Sequence, residues 1–134
     1  MSSILALDIG MKRTGIAKSD ELGIAIKALK TVDTILLVDE IFDLNQKFEL
    51  SKLIIGLPEN EGSQETIDFI KTQSKALQDK FSEIDIIFVN EAYSSREAEA
   101  RLKARGIKIN QENKGLVDME AAAILLEQAF SDIP

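Results

Sequence analysis

Residues 3–29 read SILALDIGMKRTGIAKSDELGIAIKAL, and this stretch decides the fold. Ser3 to Ile9 is an apolar run of the length and composition of a strand buried on both faces. Gly10 to Arg13 reads as a turn, Thr14 to Ser19 as a second strand, Asp20-Glu21-Leu22-Gly23 as another turn, and Ile24 to Leu29 as a third strand. Connections this short join antiparallel neighbours, so the chain is expected to open with a three-stranded meander.

Beyond the meander the period changes. Ile35, Leu36, Val38, Ile41, Phe42 and Leu44 recur at three and four residues, which predicts a helix over 33–48. Lys52 to Leu57 is a short apolar strand stopped by Pro58, and Glu61 to Phe81 a helix with Ile67, Phe69, Ile70, Ala76 and Leu77 inward. A fifth strand is expected over Ile84 to Val89, followed by helices from about Ser95 to Arg105 and Gly115 to Phe130. The polar, Gly-ended stretch from Gln111 to Gly115 reads as a mobile loop. The order βββαβαβαα implies right-handed crossovers and parallel pairing of the first, fourth and fifth strands. The expected architecture is α/β: one domain over 1–134, with a mixed five-stranded sheet flanked by helices.

At 134 residues and 45% hydrophobic side chains the chain can bury a substantial core. It contains neither Cys nor His. That removes disulfides, thiol or imidazole nucleophiles, Ser-His-Asp triads and the usual zinc, haem and iron–sulfur ligands. Any catalytic chemistry must come from carboxylates, Lys, Tyr or hydroxyls, with hard metal ions as the natural helpers. The start Met1-Ser2-Ser3 carries no basic leader, and no apolar run approaches a bilayer span, so a cytoplasmic protein with no membrane partner is expected.

The formal charge of −7 is unevenly spread. Residues 1–30 hold five basic and three acidic side chains, and 91–114 hold six and four, whereas 31–70 hold two and nine. One face of an acidic protein can therefore meet a polyanion. Lys12 and Arg13 on the first turn, Arg96, Arg101 and Arg105 along one predicted helix, and Lys114 are the candidate nucleic-acid contacts.

Three acids sit where acids do not belong. Asp8 lies between Leu7 and Ile9 at the end of the first strand, and Glu91 just beyond the fifth. In parallel sheets that edge gathers ligands. Asp118 shares the apolar stripe of the last helix with Ala121, Ala122, Leu125, Leu126 and Ala129. Three converging carboxylates repel one another unless divalent cations hold them, so one or two Mg²⁺ or Mn²⁺ ions are expected. Such ions support phosphodiester hydrolysis without His.

Four blocks carry a resemblance: Leu5-Ala6-Leu7-Asp8-Ile9-Gly10-Met11-Lys12-Arg13-Thr14-Gly15-Ile16-Ala17, Gly56-Leu57-Pro58, Asn90-Glu91-Ala92-Tyr93-Ser94-Ser95, and Lys114-Gly115-Leu116-Val117-Asp118-Met119-Glu120-Ala121-Ala122. Together they resemble the bacterial YqgF/RuvX group, described as Holliday-junction resolvases and as pre-16S rRNA nucleases. The resemblance implies a ribonuclease H-like fold, a divalent metal and metal-binding acids at Asp8, Glu91 and Asp118. The fifth-strand block departs from the group's usual Asp-Glu-Arg, since Asn90 and Ala92 flank Glu91, and Met11 stands where a small hydroxyl residue is usual.

The resemblance implies a metal-dependent endonuclease acting on structured RNA, in maturation of the 5′ end of pre-16S rRNA within ribosomal precursor particles. The alternatives are a Holliday-junction resolvase, for which two active sites in a homodimer are needed and a monomer would count against it, and a non-catalytic RNA- or ribosome-binding factor. An actin-like or sugar-kinase ATPase also opens with an Asp-x-Gly turn but needs two such domains, more than this length holds.

Overall fold

The computed structural model describes residues 2–58, 64–91 and 94–131, with the backbone alone for Glu91, Ser94 and Ser95. Three strands open the chain: β1 (Ser3–Ile9), β2 (Arg13–Asp20) and β3 (Lys27–Asp33). A 3₁₀ turn (Thr34–Leu36) leads into α1 (Leu37–Phe48), followed by β4 (Leu50–Pro58), α2 (Gln64–Lys80), β5 (Asp85–Glu91) and α3 (Ser94–Ala104). A second 3₁₀ turn (Gln111–Asn113) precedes α4 (Lys114–Ser131). The five strands form one sheet in the order β3-β2-β1-β4-β5. β1–β2 and β2–β3 pair antiparallel, while β1–β4 and β4–β5 pair parallel, as the connection lengths predict.

β1 is central, and its alternating side chains feed two different cores. Leu5, Leu7 and Ile9 join Ile16, Leu53 and Ile55 beneath α1 and α2. Ile4 and Ala6 join Ala17 and Ile54 beneath Ala122, Leu125 and Leu126 of α4. The α4 side is built of small residues, so that helix lies close to the sheet. Burying each large aliphatic side chain contributes about 1.5–3 kcal/mol, and Leu5, Leu7, Ile16, Leu53, Ile55, Leu125 and Leu126 are fully enclosed. A third cluster, Ala98, Leu102, Val117, Ala121 and Ile124, fastens α3 to α4.

Four sequence expectations are corrected here. β3 starts at Lys27 rather than Ile24, because the Asp20 carboxylate accepts the backbone N–H groups of Ile24 (2.9 Å) and Ala25 (3.3 Å) and prolongs the turn. Residues 111–115 are not a loose loop: Asn110 accepts the N–H of Asn113 and caps a 3₁₀ turn that runs into α4. Ile35, Leu36 and Phe42 point outward; of that periodic set Ile41 and Leu44 are buried and Val38 packs at the edge of the core, joined by Leu37. In α2 Ile70, Ser74 and Leu77 are buried and Phe69 packs at the edge of the same core, whereas Ala76 is exposed; the Ser74 hydroxyl is satisfied by the carbonyl of Ile70 at 2.7 Å. Among the described residues no helix is long and apolar enough to cross a membrane.

Candidate nuclease site

Asp8 sits one residue before the end of β1, half-buried, and its position in the alternation is that of Ile4 and Ala6, on the α4 face. Its cross-strand partner is Gly15 of β2. Gly15 is buried, and a Cβ there would stand 2.0 Å from the backbone oxygen of Asp118 and 2.2 Å from its carbonyl carbon. No side chain other than hydrogen fits, so α4 rests at Asp118 directly on the backbone of β2. This contact places the two acids around one glycine although 110 positions separate them in the chain (118 − 8).

Hydrogen bonds hold that arrangement from either side. Thr31 of β3 donates its hydroxyl to the carbonyl of Gly115 at 2.6 Å, pinning the start of α4 to the sheet. On the other side, the tight turn closes through Gly10 N–H to the Arg13 carbonyl at 2.8 Å. Thr34, itself buried, donates its N–H to the Lys12 carbonyl at 2.9 Å and its hydroxyl to the Gly10 carbonyl at 2.6 Å. The hydroxyls of Thr14 and Thr34 also meet at 2.9 Å. Lys12 and Arg13 therefore project from a braced hairpin rather than a loose loop.

Arg13 Nε donates to Asp118 Oδ2 at 3.0 Å. Burial drives the Asp118 carboxyl above the ordinary aspartate range, while the guanidinium of Arg13 and the ammonium of Lys114 pull in the other direction without cancelling it. Asp118 is the fifth residue of α4, past the capping positions, and Asn110 caps the preceding turn. Glu91 closes β5 with its backbone opposite Pro58, and Val89, two residues earlier, packs on the α4 face. The side chains of Glu91 and Ser94, and residues Ala92 and Tyr93, lie outside the described residues. Among the described residues no three His, Cys, Asp or Glu side chains form a metal-binding group.

The basic candidates divide into two sets. Lys12 and Lys114 are exposed, and Arg13 is 40% exposed beside the acids. Arg96 is exposed in the first turn of α3. Arg101 instead reaches Glu127 (2.9 Å) and Glu97 (3.3 Å), with Glu120 at 4.0 Å, and Arg105 reaches Glu120 at 2.8 Å. These two arginines cross-link α3 to α4, and a phosphate would compete with carboxylates for them. Thr31, Thr34 and Asn110 escaped the sequence reading because their partners are distant in the chain or belong to a turn that looked unstructured. The Asn110-x-x-Asn113 spacing was the one local signal available.

Residues 2–132 match the RuvX family, described as Holliday junction resolvase. A protein of Porphyromonas gingivalis named "Putative pre-16S rRNA nuclease" is 35% identical over 137 residues, covering 100% of this chain and 99% of the relative. A protein of Bacteroides thetaiotaomicron with the same name is 36% identical over 130 residues, covering 95% and 94%. In three dimensions the chain is similar to Thermus thermophilus RuvC in complex with a Holliday junction, with TM-score 0.63 at 13% identity and 98% of both chains covered. The fowlpox virus resolvase bound to junction DNA gives TM-score 0.59 at 14% identity, again over 98% of both chains. At such identities the likeness speaks for the fold, the ribonuclease H-like fold of RuvC. The long match and the relatives at 35–36% identity carry the assignment: the chain belongs to the RuvX family of Holliday-junction-resolvase-like nucleases.

Proposed function

We propose that Asp8, Glu91 and Asp118 form the carboxylate centre of a divalent-metal-dependent endonuclease that hydrolyses phosphodiester bonds in structured nucleic acid, with the 5′ end of pre-16S rRNA as its substrate. The observation that carries this reading is the seat of Asp118 on Gly15, across the strand pair from Asp8, at the end of the sheet where β5 delivers Glu91. RNA is placed ahead of junction DNA because relatives at 35–36% identity are named for pre-16S rRNA, whereas the junction-bound neighbours share only the fold.

The donor set fits Mg²⁺ or Mn²⁺: it is all carboxylate oxygen, in a chain without thiol or imidazole. One or two such ions, when bound, polarise the attacking water and neutralise charge on the phosphate. The chain's own residues do the rest. Asp8 and Asp118 are held by β1 and by the pinned N-terminal end of α4, so little reorganisation is needed when a ligand arrives. Arg13 keeps the charge of Asp118 balanced, and Lys12, Arg13 and Lys114 offer donors to phosphate oxygens of the bound strand.

The decisive assay offers pre-16S rRNA fragments and four-way DNA junctions to wild-type protein, Asp8→Asn and Asp118→Asn, in Mn²⁺ or in EDTA. Wild-type cleavage of the RNA is expected to require the metal and to fall at least about a hundredfold in either variant. Cutting that survives both substitutions would refute the site. RNA binding in EDTA with no cleavage in any metal would make the chain a binding factor.

A further inference from the structure

The hairpin beside the acids carries an apolar tip. Met11 is 55% exposed at the turn between β1 and β2, directly before Lys12 and Arg13. The turn is rigid, since both its Gly10 and its Lys12 carbonyls accept hydrogen bonds from Thr34. Thr34 in turn opens the 3₁₀ segment that leaves Ile35 91% and Leu36 52% exposed. Two segments bonded through one threonine thus raise three apolar side chains at the same margin of the sheet. Nothing in the protein's core uses them, and exposed apolar surface of this kind is held at a cost in water.

Its neighbours indicate the occupant. An apolar tip followed at once by two cations, next to a carboxylate pair, matches a nucleic-acid strand: phosphate oxygens meet Lys12 and Arg13, and a base face meets the apolar tip. Methionine is among the side chains that insert between base steps, and its flexible, polarisable thioether adapts to any base. We infer that Met11 is a wedge that separates the base at the scissile position from its neighbour, with Ile35 and Leu36 flanking it. The site then favours a strand whose stacking is already interrupted, such as a bulge, loop or junction arm, over a continuous duplex. This inference rests on the nuclease reading above and adds a residue that sets its substrate preference.

The test uses two RNA hairpins, identical except that one carries a single-nucleotide bulge at the mapped cleavage position, each with 2-aminopurine beside that position. Wild type, Met11→Ser and Met11→Leu are compared, with thermal melting confirming that all three fold. Met11→Ser is expected to lower kcat/KM on the continuous hairpin by about tenfold, with a several-fold smaller loss on the bulged one. Wild type should brighten 2-aminopurine on binding in EDTA, Met11→Ser should not, and Met11→Leu should restore both behaviours. Equal losses on both hairpins, or brightening unchanged in Met11→Ser, overturn the wedge while leaving the nuclease intact. Wild type that brightens the probe but cleaves neither RNA overturns the nuclease reading and keeps the wedge; wild type that does neither overturns both.

Discussion

Arg13 Nε lies 3.0 Å from Asp118 Oδ2, joining the first hairpin to the N-terminal part of the last helix. The pair is partly open to solvent, 40% exposed at Arg13 and 23% at Asp118. Its role is to make a half-buried carboxylate tolerable at the site, and a partly exposed pair contributes only about 1 kcal/mol or less to stability.

Asp118→Asn should therefore separate stability from activity. Burial, the largest influence, raises the Asp118 carboxyl above its ordinary range, with Arg13 and Lys114 opposing. A carboxyl raised on folding favours the native state while protonated and loses that contribution as pH rises through its native pKa. In EDTA, urea titrations should show Asp118→Asn at least as stable as wild type at pH 7. Wild type should recover relative to the variant as pH falls toward 4. A variant clearly less stable at pH 7 would mean that the ion pair outweighs the burial of charge.

Gly15→Ala is expected to be the most damaging methyl group that can be added near the site. Its Cβ would fall 2.0 Å from the Asp118 carbonyl oxygen, a backbone atom that no side-chain rotation can clear. Either α4 lifts from β2 or the strand bends, at a cost of about 3 kcal/mol. Chemical denaturation should show that loss together with loss of cleavage. A fully stable, active Gly15→Ala would contradict the close seat of α4.

Metal binding has a readout independent of cleavage. Mg²⁺ or Mn²⁺ at about ten times its dissociation constant should stabilise the wild type by roughly 1.4 kcal/mol. The shift should shrink in Asp8→Asn and Glu91→Gln, measured by differential scanning fluorimetry without nucleic acid. Identical shifts in wild type and both variants would place the ion elsewhere.

Arg101→Ala distinguishes a strut from a phosphate contact. Because Arg101 bridges Glu97 of α3 and Glu127 of α4, its removal should lower stability by about 1 kcal/mol or less, with the difference fading at high salt. RNA affinity and its salt dependence should change less than in Lys12→Ala, for which losing one phosphate contact reduces the salt slope by about 1. The reverse ranking would return Arg101 to the nucleic-acid surface.

Most of the architecture was legible because local patterns are enough to specify it. The apolar run of β1, the short turns after it and the change from alternation to helical periodicity require a meander followed by crossovers, whatever the distant contacts. The errors arose where side-chain and turn hydrogen bonds overrode the apolar pattern. The Asp20 side chain extended a turn at the expense of β3, and the 3₁₀ turn after β3 took Ile35 and Leu36 out of the helical register. The candidate acids were legible for a related reason. A carboxylate among apolar residues is an anomaly that sequence alone exposes, since burying it is unfavourable without a partner.

By itself, then, the sequence determined the order of elements, the mixed sheet and the restriction of any chemistry to oxygen ligands, because periodicity, turn residues and the absence of Cys and His are properties of the chain. Tertiary structure alone decided which cations stand beside the acids. Arg13 faces Asp118 because Gly15 lets α4 reach the sheet there, while Arg101 and Arg105 are drawn to Glu120 and Glu127 because α3 packs along α4. Charge on a side chain is written in the sequence, but the partner that balances it depends on which distant surfaces meet, and that follows from packing.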